Sequence, residues 1–169
     1  MSVPVQQQTS VVGWRFWLVR PGTDLLLSPY DYGPAWPSAA VAATCSTDPA
    51  HCPPAPGCDC GVYAERTVED ARERVRRHRR AVRINLALAG VRPPPLPSYV
   101  VGRVALTGAV PFVPRAGMIR VGADELRAAS AEILELWVQP GESDPQVGGR
   151  LAVRYGVRVT IDEPAHVAT

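Results

Sequence analysis

Cys45-Ser-Thr-Asp-Pro-Ala-His51-Cys52-Pro-Pro-Ala-Pro-Gly-Cys58-Asp59-Cys60-Gly61 holds every cysteine of this 169-residue chain and one of its three histidines. Four prolines interrupt the stretch, too many for a helix or a central strand. Soft ligands gathered this tightly in an irregular segment predict one metal site that folds its own loop. Zinc takes four donors in a tetrahedron, from thiolate sulfur or imidazole nitrogen. Cys58 and Cys60 flank a single residue, so the backbone has to kink for both thiolates to reach one ion, and Gly57 and Gly61 supply that freedom. Cys45 is the third donor. The fourth is His51 or Cys52, because adjacent side chains diverge and only one of them can turn inward. Disulfides, a redox-active Cys-x-Cys pair and a chance cluster of free thiols are the competing readings. With four protein donors the site is closed to a catalytic water, which makes the ion structural.

Working outward, Thr67 is a good N-cap with Asp70 three residues on, and it opens the longest expected helix, over 67–89. Val68, Ala71, Val75, His78, Val82 and Leu86 give that helix a stripe at steps of three and four, and Gly90 ends it. Eight of the 18 arginines fall between Glu65 and Arg83, and six of them (Arg74, Arg76, Arg77, Arg79, Arg80 and Arg83) follow one another with no intervening acid. That run predicts a surface for an anionic partner, protein or nucleic acid. A solvated face is the plainer reading, since every basic residue of the chain is arginine and none is lysine. No aromatic residue within the run is available to stack on bases. His78, on the apolar stripe, reads as a packed histidine rather than a base.

Upstream, Trp14 to Val19 alternate and lead through Pro21-Gly22-Thr23-Asp24 into an apolar run, the pattern of a β-hairpin. Residues 29–44 read as loop with a helical turn at 38–43. Downstream, Pro93, Pro94, Pro95 and Pro97 make a spacer. The β-branched run from Tyr99 predicts a strand with a possible bulge at Gly102, a turn near Gly108 and a second short strand. Residues 118–121 suggest another strand. Leu126, Ala129, Ile133, Leu136 and Trp137 have helical spacing, so a second helix is expected over 123–137, followed by a loop over 141–149. Residues 151–161 alternate as a strand would, but Val147, Leu151 and Tyr155 equally fit a short helix stopped by Gly156, with 157–161 as strand. The four tryptophans read as core or core-edge aromatics.

Composition sets the frame. The chain is 46% hydrophobic, enough for a real core, and its 18 prolines bunch into loops. No apolar run approaches a membrane span, and the opening residues MSVPVQQQTS lack a signal-peptide pattern. A reducing cytoplasm is therefore the expected setting, one that favours thiolate ligands over disulfides. There is no phosphate loop, dinucleotide fingerprint or hydrolase nucleophile elbow.

The order Cys45, His51, Pro53-Pro54, Cys58-x-Cys60-Gly61-Val62-Tyr63-Ala64 resembles the signature of a family of uncharacterised proteins from actinobacteria and their phages. In these a cysteine precedes His-x-Ala-Pro and then Cys-x-Cys-Gly-Ile-Tyr-Ala. An N-terminal tryptophan strand with Leu27-Ser28-Pro29, the strand from Val100 to Val110, and Tyr155-Gly156-Val157 are similar too. The resemblance implies that His51 is the fourth ligand, with Cys52 at a variable position, and that the C-terminus runs helix, Gly156, strand. One segment departs from the pattern: Gly117-Met118-Ile119-Arg120 stands where the family has Gly-aromatic-Arg-Ala. The resemblance carries no activity.

The reading is an α+β single domain over 1–169. It comprises a hairpin with a zinc-knotted loop (1–64), a long basic helix (65–92) and a strand-rich C-terminal half (98–162). The expected function is a small zinc-stabilised cytoplasmic binding or adaptor protein without a membrane segment. A nucleic-acid binder is the alternative, and a zinc-dependent enzyme the least favoured.

Overall fold

The computed structural model describes residues 10–29, 35–92, 97–113, 125–139 and 144–161. They form one eight-stranded sheet and two helices, an arrangement compatible with an α+β fold. Three long strands make its centre: β1 (Val11–Val19), β4 (Ser98–Thr107) and β7 (Ser130–Gln139). β1 runs antiparallel to β4 from Val11↔Leu106 to Val19↔Ser98, and β4 pairs antiparallel with β7 on its other side. Beyond β1 lie β3 (Val62–Glu65), β6 (Glu125–Ala128) and the edge strand β5 (Val110–Pro111). The far side of β7 takes β2 (Ala40–Ala42) along its first residues and β8 (Arg158–Ile161), the one parallel pairing described, along its last.

β1 and β4 are apolar almost without a break because packing covers both of their faces, whereas β7 alternates, with Glu132 and Leu134 exposed between buried Ala131, Ile133 and Leu136. Alternate residues of β1 and β4 serve different cores. Phe16, Tyr99 and Val101, with Trp14 and Leu18 at the margin, pack beneath α1 (Val68–Leu88) against Ala71 and Val75. Trp17, Val19, Val100, Val104 and Leu106 face the larger core, which α2 (Val147–Tyr155) closes with Val147, Leu151 and Tyr155. Trp17 and Trp36 meet edge to face there at 5.0 Å, while Trp14 and Trp137 stack obliquely at the rim, 5.2 Å apart. Gly102 is not a bulge. A Cβ there would stand 2.7 Å from Leu136 and 2.8 Å from Trp17, so the glycine permits close packing across the strands.

α1 starts where its cap predicts: Thr67 Oγ1 accepts from the Asp70 amide at 3.2 Å. At the C-terminus the helix-then-strand alternative holds. Gly156 adopts the left-handed conformation (φ 65°) and donates to Ala152 O, which stops α2 ahead of β8. α2 begins at Val147, the first residue of that alternative. The Tyr155 hydroxyl donates to Trp36 O at 2.8 Å and accepts from the Leu26 amide at 2.9 Å, which ties the irregular segment after β1 to the helix.

Three expectations are corrected. The helix expected over 123–137 is two strands across its described residues, β6 and β7. Arg103 pairs with Glu135 but Val104 with Ile133, so Leu134 is an extra residue in β7. That bulge puts the buried Ile133 and Leu136 three apart, and the break at Ala129 does the same for Ala128 and Ala131. Steps of three imitate a helical stripe, and inter-strand pairing overrides them. The hairpin survives only as a bridge between Leu18 and Leu27 (3.0 and 2.8 Å) on the edge of β1 away from β4, an edge that β3 takes at Trp14. Residues 40–42 extend along β7 as β2 rather than forming a helical turn. The strand expected at 118–121, most of the proline spacer, His166 and the departing segment at 117–120 lie outside the described residues. No described helix is long and apolar enough to cross a membrane.

Candidate metal centre

The loop between β2 and β3 begins beside Ala129, whose carbonyl accepts from the Ala43 amide, and ends at Gly61, where β3 joins β6. Gly61 has φ 134°, and a Cβ there would stand 3.3 Å from Ala128 O, so the chain can re-enter the sheet at this point only without a side chain. Gly57, at φ 72°, makes the bend ahead of Cys58.

Between those bends, Cys45, His51, Cys58 and Cys60 bring their donor atoms within 4.8 Å of one another. The Sγ atoms of Cys45 and Cys58 are 3.6 Å apart, and His51 Nε2 lies 3.2 Å from Cys60 Sγ. A zinc tetrahedron built on bonds of about 2.3 Å to sulfur and about 2.0 Å to nitrogen has edges of about 3.5–3.8 Å. The donor set is therefore the right chemistry at close to the right separation. Cys45 is buried, the other three are half-buried, and Cys52 is exposed outside the cluster. Of the two candidates for the fourth donor, His51 lies within the cluster and Cys52 outside it.

Two residues that the sequence did not single out complete the surroundings. Asp48 Oδ2 stands 3.6 Å from His51 Nδ1. A carboxylate there favours the proton on Nδ1 and leaves Nε2 free as a donor. The Asp48 amide also donates to Cys45 Sγ at 3.3 Å, and this bond is the largest cause holding the Cys45 thiol down to about 7. At Cys58 the Cys60 amide favours the thiolate, but the adjoining thiols and burial outweigh it and raise the pKa. Clustered thiols oppose one another's ionisation, and a cation among them removes the conflict. Arg127, on β6, donates to the carbonyls of Cys58 and Cys60 while its guanidinium lies over Phe112, 5.6 Å from the ring centre. Asp48 could have been suspected from its place three residues before His51. Arg127 could not, because its segment carried helical spacing.

The six arginines from Arg74 to Arg83 do not form one surface. Arg74 is 8% exposed and lies beneath the helix, where it pairs with Glu65 and, at 3.1 Å, with Glu125, so it is removed from the expected partner face. Arg76 and Arg77 both bond Glu73, at 2.7 and 2.9 Å. The Arg79 guanidinium sits 4.3 Å over the Tyr99 ring. Arg80 and Arg83 are exposed, and no carboxylate among the described residues pairs with them. His78 is packed as expected, 3.2 Å from the Tyr99 hydroxyl and edge-on to Phe16, and burial lowers its pKa. A scan of family models and searches of curated proteins and of solved structures found no match to this chain.

Proposed function

We propose that the protein is a zinc-stabilised binding or adaptor protein of a reducing, cytoplasmic setting, with α1 presented to an anionic partner. The convergence of Cys45, His51, Cys58 and Cys60 within 4.8 Å supports this reading more than any other observation. Three thiolates and one imidazole complete a tetrahedral shell, which leaves no position for a catalytic water, so the ion's role is to order the loop. Structural zinc contributes on the order of 10 kcal/mol to folding, which suits a proline-rich segment that buries little. We group the chain, as part of this proposal, with the actinobacterial and phage proteins its ligand loop resembles. Nucleic acid is the second reading of the partner, favoured by Arg80 and Arg83, which pair with no carboxylate among the described residues.

Metal analysis of the purified, reduced protein tests the proposal. About one zinc per chain is expected, lost in Cys58→Ser and Cys60→Ser together with thermal stability, and retained in Cys52→Ser. A reduced protein without metal, or full zinc content in the two ligand variants, overturns it.

A further inference from the structure

The two halves of α1 meet different surroundings. Its N-terminal half lies on the sheet through Ala71 and Val75, whereas its C-terminal half is open to solvent. Ile84 and Leu88, one turn apart, are 47% and 82% exposed. At about 100° of rotation per residue, Arg77, Arg80, Ile84 and Leu88 share one strip directed away from Ala71 and Val75. Arg76, Arg79, Arg80 and Arg83 line a shallow depression with Ile84 as its apolar wall. The chain has no acidic residue from 74 to 123; Glu73 holds Arg76 and Arg77, whereas Arg80 and Arg83 pair with no carboxylate among the described residues.

Single exposed aliphatics are ordinary on protein surfaces, but apolar residues in register and bordered by cations make a composite surface. We propose that this strip docks an acidic amphipathic helix of a partner protein, with carboxylates on Arg80 and the adjoining Arg83 and aliphatic side chains on Ile84 and Leu88. The inference rests on the anionic-partner reading above and gives that partner a chemistry. Charge complementarity selects it over a second copy of this chain, which would set arginine against arginine. Nucleic acid would leave Ile84 and Leu88 against phosphate, and the strip offers no aromatic side chain for stacking. An anionic bilayer would meet Glu73, held on the same outward face by Arg76 and Arg77.

The test titrates the zinc-loaded full chain with a synthetic helical peptide carrying glutamate and leucine at four-residue spacing. Polyglutamate of equal charge, a DNA duplex and phosphatidylserine vesicles are titrated in parallel. The peptide is expected to bind at least about tenfold more tightly than polyglutamate. Leu88→Asp and Arg80→Glu, both at exposed positions, should each weaken it about tenfold with an unchanged melting curve. If polyglutamate, DNA or vesicles bind as well as the peptide, or Leu88→Asp has no effect, the amphipathic partner is overturned and the anionic-partner reading survives. If none of the four probes binds, both fall.

Discussion

Glu65 and Glu125 stand directly opposite one another across the β3–β6 pair, and Arg74 reaches down from α1 to both carboxylates. Like charges placed face to face on neighbouring strands repel, so this stretch of sheet depends on a cation supplied by the helix. The arrangement joins α1 to the strand that emerges from the metal loop.

Arg74→Met should therefore destabilise the fold by about 3–5 kcal/mol at pH 7.5, the cost of leaving buried carboxylates without their cation. Adding Glu65→Gln to that variant should restore part of the loss, because only one buried charge then remains. Urea unfolding of the single and double variants measures both. Equal stability of Arg74→Met and the parent would contradict the pairing.

Burial, opposed by Arg74, raises the Glu65 carboxyl from 4.5 to about 7. The folded protein therefore holds this proton more tightly than the unfolded chain. Its contribution to stability is fully present below pH 4.5 and is lost as pH rises through about 7. The size of the shift bounds the effect at roughly 3 kcal/mol. Glu65→Gln should gain on the parent in unfolding free energy between pH 5 and pH 7.5, and a gap that stays constant over that range would refute the shift.

Arg127 fastens the metal loop to β6 through the Cys58 and Cys60 carbonyls. Arg127→Met keeps all four ligands yet frees the loop to move, so zinc affinity should fall by about tenfold or more. Competition with a chelator gives the number. Unaltered affinity would mean that the loop holds its shape without the sheet.

Tyr155→Phe removes a hydroxyl that satisfies the Leu26 amide and the Trp36 carbonyl in the buried core. Two backbone groups would lose their partner, and a cost of about 2–3 kcal/mol is expected from thermal or chemical unfolding. Zinc content should not change, since neither hydrogen bond involves a residue of the loop.

What the residues alone determined is local. Ligand chemistry is carried by residue identity and spacing, so the Cys/His loop was legible before any fold was known. Thr67, the apolar stripe and Gly90 marked α1 because capping and helical periodicity act over a few residues. Pairing between distant strands decided the rest. Whether 125–139 became helix or strand depended on β3 and β4, which lie far away in the chain, and the extra Leu134 disguised the two-residue alternation. The burial of Arg74 and the grip of Arg127 likewise arose only when β6 met β3. Such contacts follow from long-range packing, which no short window of sequence encodes.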